Sequence, residues 1–213
     1  MDKYLSVITN FGCHYTCPYC IVKNNNLHIP KSTIEGLNNL NNEIVKNNCN
    51  WVSISGGGDP LWELDKHYDW YRRFFDITSK TFNKVKIELH TSLIDVKYGP
   101  YPYFDRIVYH LHDYEQLKSI KRIGNGIVRV VFVVTEKFTK GLINKIAWFC
   151  NKSTEIDELS FRQMVDDNYQ ETDYCKDYLK AGHQESWWYI EQCDYNLYYC
   201  ENKVYTEYRK IGE

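Results

Sequence analysis

The sequence lacks any run approaching the roughly 18–20 uncharged apolar residues that cross a bilayer. Its first residues, MDKYLSVITNFG, lack a basic segment followed by an apolar core, so neither a membrane span nor a secretory leader is expected. An excess of one charge sign is also missing. The 26 Lys and Arg residues stand against 28 Asp and Glu, a formal charge of −2, so no whole-chain attraction to nucleic acid or anionic membrane is indicated and only a local basic groove stays open. No internal repeat shows beyond a strand–helix rhythm, and the Asn-rich pieces at 24–26 and 38–42 are too short for low complexity. These absences lead to the expectation of a soluble, cytoplasmic chain with no membrane partner.

What is present is 213 residues, 43% of them hydrophobic, enough to bury one compact core, and eight cysteines. In a reducing compartment disulfides rarely persist, so thiols in this number point to metal or redox chemistry.

Short β-branched runs alternate with longer amphipathic stretches, the pattern of repeated βα units around a parallel sheet. Strands are expected at 5–9, 51–55, 84–90, 106–112, 128–135 and 158–164. Helices are expected at 32–46, opened by a capping box of Ser32 and Glu35, then at 65–81, at 114–123 before Gly124-Asn125-Gly126, and at 139–150. Six units are too few for a closed eightfold barrel, so the fold expected is α/β, an open partial (βα)6 barrel over residues 1–166. The composition then shifts. Residues 167–213 hold 9 of the 19 tyrosines, the pair Trp187-Trp188, and a hairpin at 198–205 turning on Glu201-Asn202. This extension is expected to pack on the open edge of the core; a lid or stacking platform is the alternative.

Cys13, Cys17 and Cys20 follow strand one in the run Cys-His-Tyr-Thr-Cys-Pro-Tyr-Cys. Cubane iron–sulfur clusters take four thiolates, so three closely spaced ones leave one iron open unless a distant cysteine serves. A zinc site completed by His14 or Cys49, or simple buried thiols, are the alternatives. Strand two ends in Ser55-Gly56-Gly57-Gly58-Asp59-Pro60, whose glycines let another molecule reach the main chain; an ordinary glycine-rich turn reads the same way.

Together these motifs resemble the radical S-adenosylmethionine (SAM) superfamily, with its C-x3-C-x2-C loop, an aromatic before the last cysteine (here Tyr19), and a Gly-Gly-Glu-Pro motif after strand two. That motif is matched by Gly57-Gly58-Asp59-Pro60, with Asp for Glu. The match covers roughly residues 4–165. It implies that Cys13, Cys17 and Cys20 hold a [4Fe–4S] cluster whose open iron chelates SAM, with Tyr19 near the adenine and the turn from Gly56 to Asp59 receiving the methionine ammonium. It also implies an electron donor of the flavodoxin or ferredoxin type and 5′-deoxyadenosyl radical chemistry on a substrate the sequence does not name: a small molecule, nucleotide or peptide.

Ligands of parallel sheets lie at the carboxyl ends of the strands. Strand three ends in Thr91-Ser92, where relatives touch the ribose. Strand four ends in His110-Leu111-His112, where some relatives place Asp-x-Lys; residues two apart share a face, so both histidines can reach the pocket. Strand five offers Thr135 and Glu136. Strand six offers Arg162, whose planar fork suits a carboxylate. The other cysteines, Cys49, Cys150, Cys175, Cys193 and Cys200, are spaced too widely to resemble an auxiliary cluster, and Cys49 and Cys150 read as core thiols. The alternatives are a glycyl-radical-enzyme activase and a deazapurine-forming synthase, from whose motifs the run Cys20-Ile21-Val22-Lys23 departs, and, outside enzymes, a metal-binding or iron–sulfur electron-transfer module. No catalytic residue is assigned.

Overall fold

A computed structural model describes residues 2–15, 17–81, 84–94, 96–97, 99–166, 168–191 and 197–213. Six strands, β1 (Tyr4–Ile8), β2 (Trp51–Ser55), β3 (Lys86–Thr91), β4 (Arg106–Leu111), β5 (Ile127–Val134) and β6 (Glu158–Gln163), lie side by side in chain order, all parallel. The extension adds β7 (Trp188–Ile190), parallel to β6, and the hairpin β8 (Leu197–Cys200) and β9 (Lys203–Tyr205), with β8 parallel to β1. The order β7-β6-β5-β4-β3-β2-β1-β8-β9 is an α/β partial barrel that stays open. The aromatic extension therefore lengthens the sheet at both edges, where packing on one open edge was expected. Its hairpin turns on Glu201 and Asn202, both at positive φ (47° and 65°), as a tight two-residue connection requires.

Strand alternation explains what the two sheet faces do. Leu5, Val7, Val52, Ile54, Leu89, Ile107, Val130, Phe132 and Phe161 share one face and are buried with Leu40 and Ile44 of α2 (Leu40–Lys46), Trp70 and Phe74 of α3 (Tyr68–Ser79), and Ile143 and Ile146 of α5 (Lys140–Lys152). The other face is mixed, with Ile8, Val108 and Val131 buried on it among polar side chains. In register across it lie Ser6, Ser53, Glu88 and Arg106, with His90, His110 and Arg162 further toward the carboxyl ends. The longer helices thus pack on one face, while the short α1 (Ile21–Asn24) lies at the other, where Val22 packs on the cluster around Ile8 and Ile21 lines the lumen.

Several helix boundaries differ from the expectation. The box of Ser32 and Glu35 does not form. Ser32 Oγ accepts from Trp70 Nε1 (3.0 Å), Thr33 Oγ1 accepts from Gly36 N (2.9 Å), and a 3₁₀ turn at Glu35–Leu37 precedes α2. A second 3₁₀ turn, Leu64–His67, leads into α3. Helix α4 spans only Tyr114–Leu117, capped reciprocally by Asp113 and Gln116. It stops early because Arg122 gives its backbone amide to Glu155 (2.7 Å) and its guanidinium to Gly126 O and Asp157, which pulls the chain away from the helix axis. Among the described residues no helix is long and apolar enough to cross a membrane.

Candidate active site

The loop after β1 carries Cys13, which is exposed, and Cys17 and Cys20, which are half-buried; all three are free thiols. They line one cavity of about 280 Å³ with Tyr19, Gly56, Gly57, Gly58, Ser92, His110, His112 and Arg162. An adjoining cavity of about 250 Å³ shares five of those positions, together with Ile21 and Tyr208, and adds Ser55, Asp59 and Thr91. The three cysteines, Tyr19, the turn from Ser55 to Asp59, Thr91, Ser92, His110, His112 and Arg162 therefore all line one of two neighbouring cavities at the carboxyl ends of the strands.

The thiols suit a cationic partner. Burial pushes the Cys17 thiol up to about 11, with Cys13 and Cys20 adding to the rise, and burial also raises Cys13. Groups that oppose one another's ionisation are relieved by a metal centre placed among them. The three face one cavity without converging on a point, and among the described residues no three His, Cys, Asp or Glu side chains are drawn into a metal-holding group. Of the two alternative fourth ligands, Cys49 is 3% exposed within the apolar core and absent from the cavity walls, whereas His14 keeps a buried, unpartnered Nδ1 on the cysteine loop itself. Cys150 is also a core thiol, pushed up to about 12 by burial. Cys175 Sγ lies 3.6 Å from Phe138 O, and Cys200 sits in a small apolar cluster with Ile8 and Tyr198. Cys193 lies outside the described residues.

The glycine turn is tied to the cysteine loop. Gly56 and Gly57 have φ of 73° and 72°, and a Cβ on Gly58 would come within 2.1 Å of Gly12 O, the same oxygen that accepts from Asp59 N at 2.7 Å. Close backbone approach at Gly58 thus serves the chain's own loop. Asp59 is 3% exposed, and four donors meet its carboxylate: Leu61 N (2.9 Å) and Thr91 Oγ1 (2.8 Å) on Oδ1, Ser92 N (2.6 Å) and Ser92 Oγ (2.7 Å) on Oδ2. A carboxylate has about four lone-pair sites, so this one is filled. The expected acceptor for an ammonium is instead the clasp between the β2 turn and the end of β3, and the hydroxyls of Thr91 and Ser92 are turned toward it.

Tyr19 OH lies 2.6 Å from His112 Nδ1, and His112 Nε2 lies 3.8 Å from Cys17 Sγ. His112 N donates to Gln116 Oε1 (2.6 Å), and Gln116 Nε2 donates to Tyr15 OH (2.9 Å), so β4 and the cap of α4 brace the cysteine loop. His110, two residues earlier and within β4, faces His90 instead, with Nε2 2.9 Å from His90 Nδ1. Thr135 and Glu136 line neither cavity. Tyr208 was not singled out in the sequence. It comes from the far end of the chain, lines both cavities, and accepts a hydrogen bond from Gly57 N at 2.9 Å. No local signal separates it from the other tyrosines of the extension.

No protein-family model matches the sequence. No curated protein matches it either. Among solved structures, Streptococcus suis SuiB bound to precursor peptide SuiA superposes with a TM-score of 0.60 at 15% identity, over 89% of this chain and 49% of SuiB. SuiB bound to S-adenosylmethionine gives 0.56 at 15% identity, over 90% of this chain and 47% of SuiB. The chain has the fold of SuiB. It spans about half of SuiB's length, so the likeness concerns the α/β partial barrel and leaves the rest of SuiB unmatched.

Proposed function

We propose that the chain is a radical SAM enzyme with a single [4Fe–4S] cluster. The observation that carries this reading is the shared cavity of Cys13, Cys17, Cys20 and the glycine turn at the carboxyl ends of the strands. The fold likeness to a protein solved with SAM supports it. Cys13, Cys17 and Cys20 would hold the cluster as thiolates and leave one iron without a protein ligand. When bound, the cluster would supply the electron for reductive cleavage of the sulfonium C–S bond of SAM.

The chain's own residues bind, orient and exclude water. The main chain of Ser55 to Gly58 would receive the methionine end of SAM, with Asp59 holding that turn in place through Thr91 and Ser92. Tyr19 and His112 would flank the adenine, and Arg162 would bond a carboxylate through two parallel N–H groups. Residues 1–166 would form the catalytic core, and 167–213 the extension that supplies Tyr198 and Tyr208 to the cavity wall. The substrate would lie in the lumen beside His110. SuiB was solved with a precursor peptide, which keeps a peptide among the candidates beside a small molecule or nucleotide. A cytoplasmic setting and an electron donor of the flavodoxin or ferredoxin type complete the reading.

Anaerobic reconstitution followed by SAM and dithionite tests it. Four irons per chain and 5′-deoxyadenosine are expected. Full iron loading without cleavage would point to an electron-transfer module, and a stoichiometric zinc site to a structural metal centre.

A further inference from the structure

We propose that Glu88, His90 and His110 form a proton relay ending at the lumen cavity on His110 Nδ1, and that the molecule bound there gives up a proton from oxygen or nitrogen. The proposal rests on the radical SAM reading only for taking that molecule as the substrate.

The chain of contacts starts deep in the lumen. Glu88 is 4% exposed; its Oε2 accepts from Arg106 Nε at 2.8 Å, and its Oε1 lies 2.9 Å from His90 Nε2. Arg106 is itself fixed by Tyr4 OH (2.9 Å) and Glu158. Burial alone would raise the Glu88 pKa, but His90 and Arg106 hold it down at about 2, so the group is a carboxylate and an acceptor only. His90 Nε2 must then carry a hydrogen. In the neutral form of His90, with its one N–H on Nε2, Nδ1 is the acceptor and His110 Nε2, 2.9 Å away, the donor, and this is the form the relay starts from. His110 Nδ1 is left bare. It has no hydrogen bond to any described residue, and the ring lines both cavities.

The charged or titratable groups around His110 are His90 and Glu88 on β3, Arg162 on β6 and His112 just past the end of its own strand. Burial, followed by His90, Arg162 and His112, keeps His110 neutral by driving its pKa well below the usual histidine value. A lone imidazole so placed is a poor base. The relay changes that, because the proton taken at His110 Nδ1 need not stay. The Nε2 proton of His110 passes to His90 Nδ1, and the positive charge rests on His90, beside the Glu88 carboxylate. One proton leaves the bound molecule, one positive charge appears on His90, and no electron moves. The same three residues acting only as lumen filling would need no bare nitrogen at the cavity.

The test uses the full chain with ¹⁵N-labelled histidine and diethyl pyrocarbonate as the probe, since that reagent acylates unprotonated imidazole nitrogen. NMR is expected to show His110 protonated on Nε2 and bare on Nδ1. Mass spectrometry is expected to show His110 acylated, about tenfold more slowly in both Glu88→Gln and His90→Gln, the loss of roughly one pKa unit of basicity. A proton on Nδ1, or acylation as fast in both variants as in the unaltered chain, overturns the relay. The wild-type spectrum decides the tautomer even where a variant fails to fold. Because neither readout involves SAM, absence of 5′-deoxyadenosine with the expected spectra would count against the enzyme reading alone.

Discussion

Ser92 gives both its backbone amide and its hydroxyl to the same oxygen of Asp59, at 2.6 and 2.7 Å, joining the end of β3 to the glycine turn that follows β2. This contact makes a residue expected to meet a ligand into a part of the turn's own framework.

Its removal has a definite cost. Asp59→Ala strands four buried donors, and hydrogen bonds to a charged group are worth roughly 1.5–3 kcal/mol each before relaxation. A loss on the order of 3 kcal/mol is expected, read as a lower urea midpoint with unchanged slope. Asp59→Glu, which restores the usual acid of the resembled motif, should also destabilise by about 1–3 kcal/mol, because the extra methylene has no room in a filled contact set.

The cysteines separate by role. Cys17→Ala is expected to lower iron content after reconstitution and to abolish 5′-deoxyadenosine formation. Cys49→Ala, in the core rather than the cavity, should keep both and cost only about 1 kcal/mol of stability through the small void it leaves. Iron and sulfide analysis with the cleavage assay reads the two side by side.

Glu88 predicts an acid limb. Its folded pKa of about 2 lies below the ordinary value of 4.5, so its contribution is fully present above pH 4.5 and is lost as pH falls through 2. Across that window the loss is on the order of 3 kcal/mol. Urea midpoints at pH 7, 4.5 and 2.5 should fall more steeply for the unaltered chain than for Glu88→Gln, which starts lower at pH 7 and then stays flatter.

Tyr208→Phe removes only the hydroxyl that accepts from Gly57 N, leaving the ring packed on Tyr198. An orphaned amide at the turn costs about 1 kcal/mol, so SAM binding to the reconstituted chain should weaken about five- to tenfold. Equilibrium binding measures it; unchanged affinity would show that the turn does not depend on this brace.

Much of this molecule can be read along the chain. The six parallel strands, the open barrel, the hairpin turning on Glu201-Asn202 and the common placement of Cys13, Cys17, Cys20 and the glycine turn follow from local pattern, since strand and turn signals and the strand-end rule act over a few residues. The box at Ser32 and the long helix after Tyr114 do not form, because Trp70, Glu155 and Asp157 compete for the same backbone and side-chain groups from distant segments. Tertiary structure alone decides that Asp59 is saturated, that Tyr208 reaches Gly57 across most of the chain, and that Glu88, His90 and His110 touch. Each of these contacts depends on strand register or on where the last residues return, and periodicity can say which face a side chain occupies without saying which neighbour meets it there.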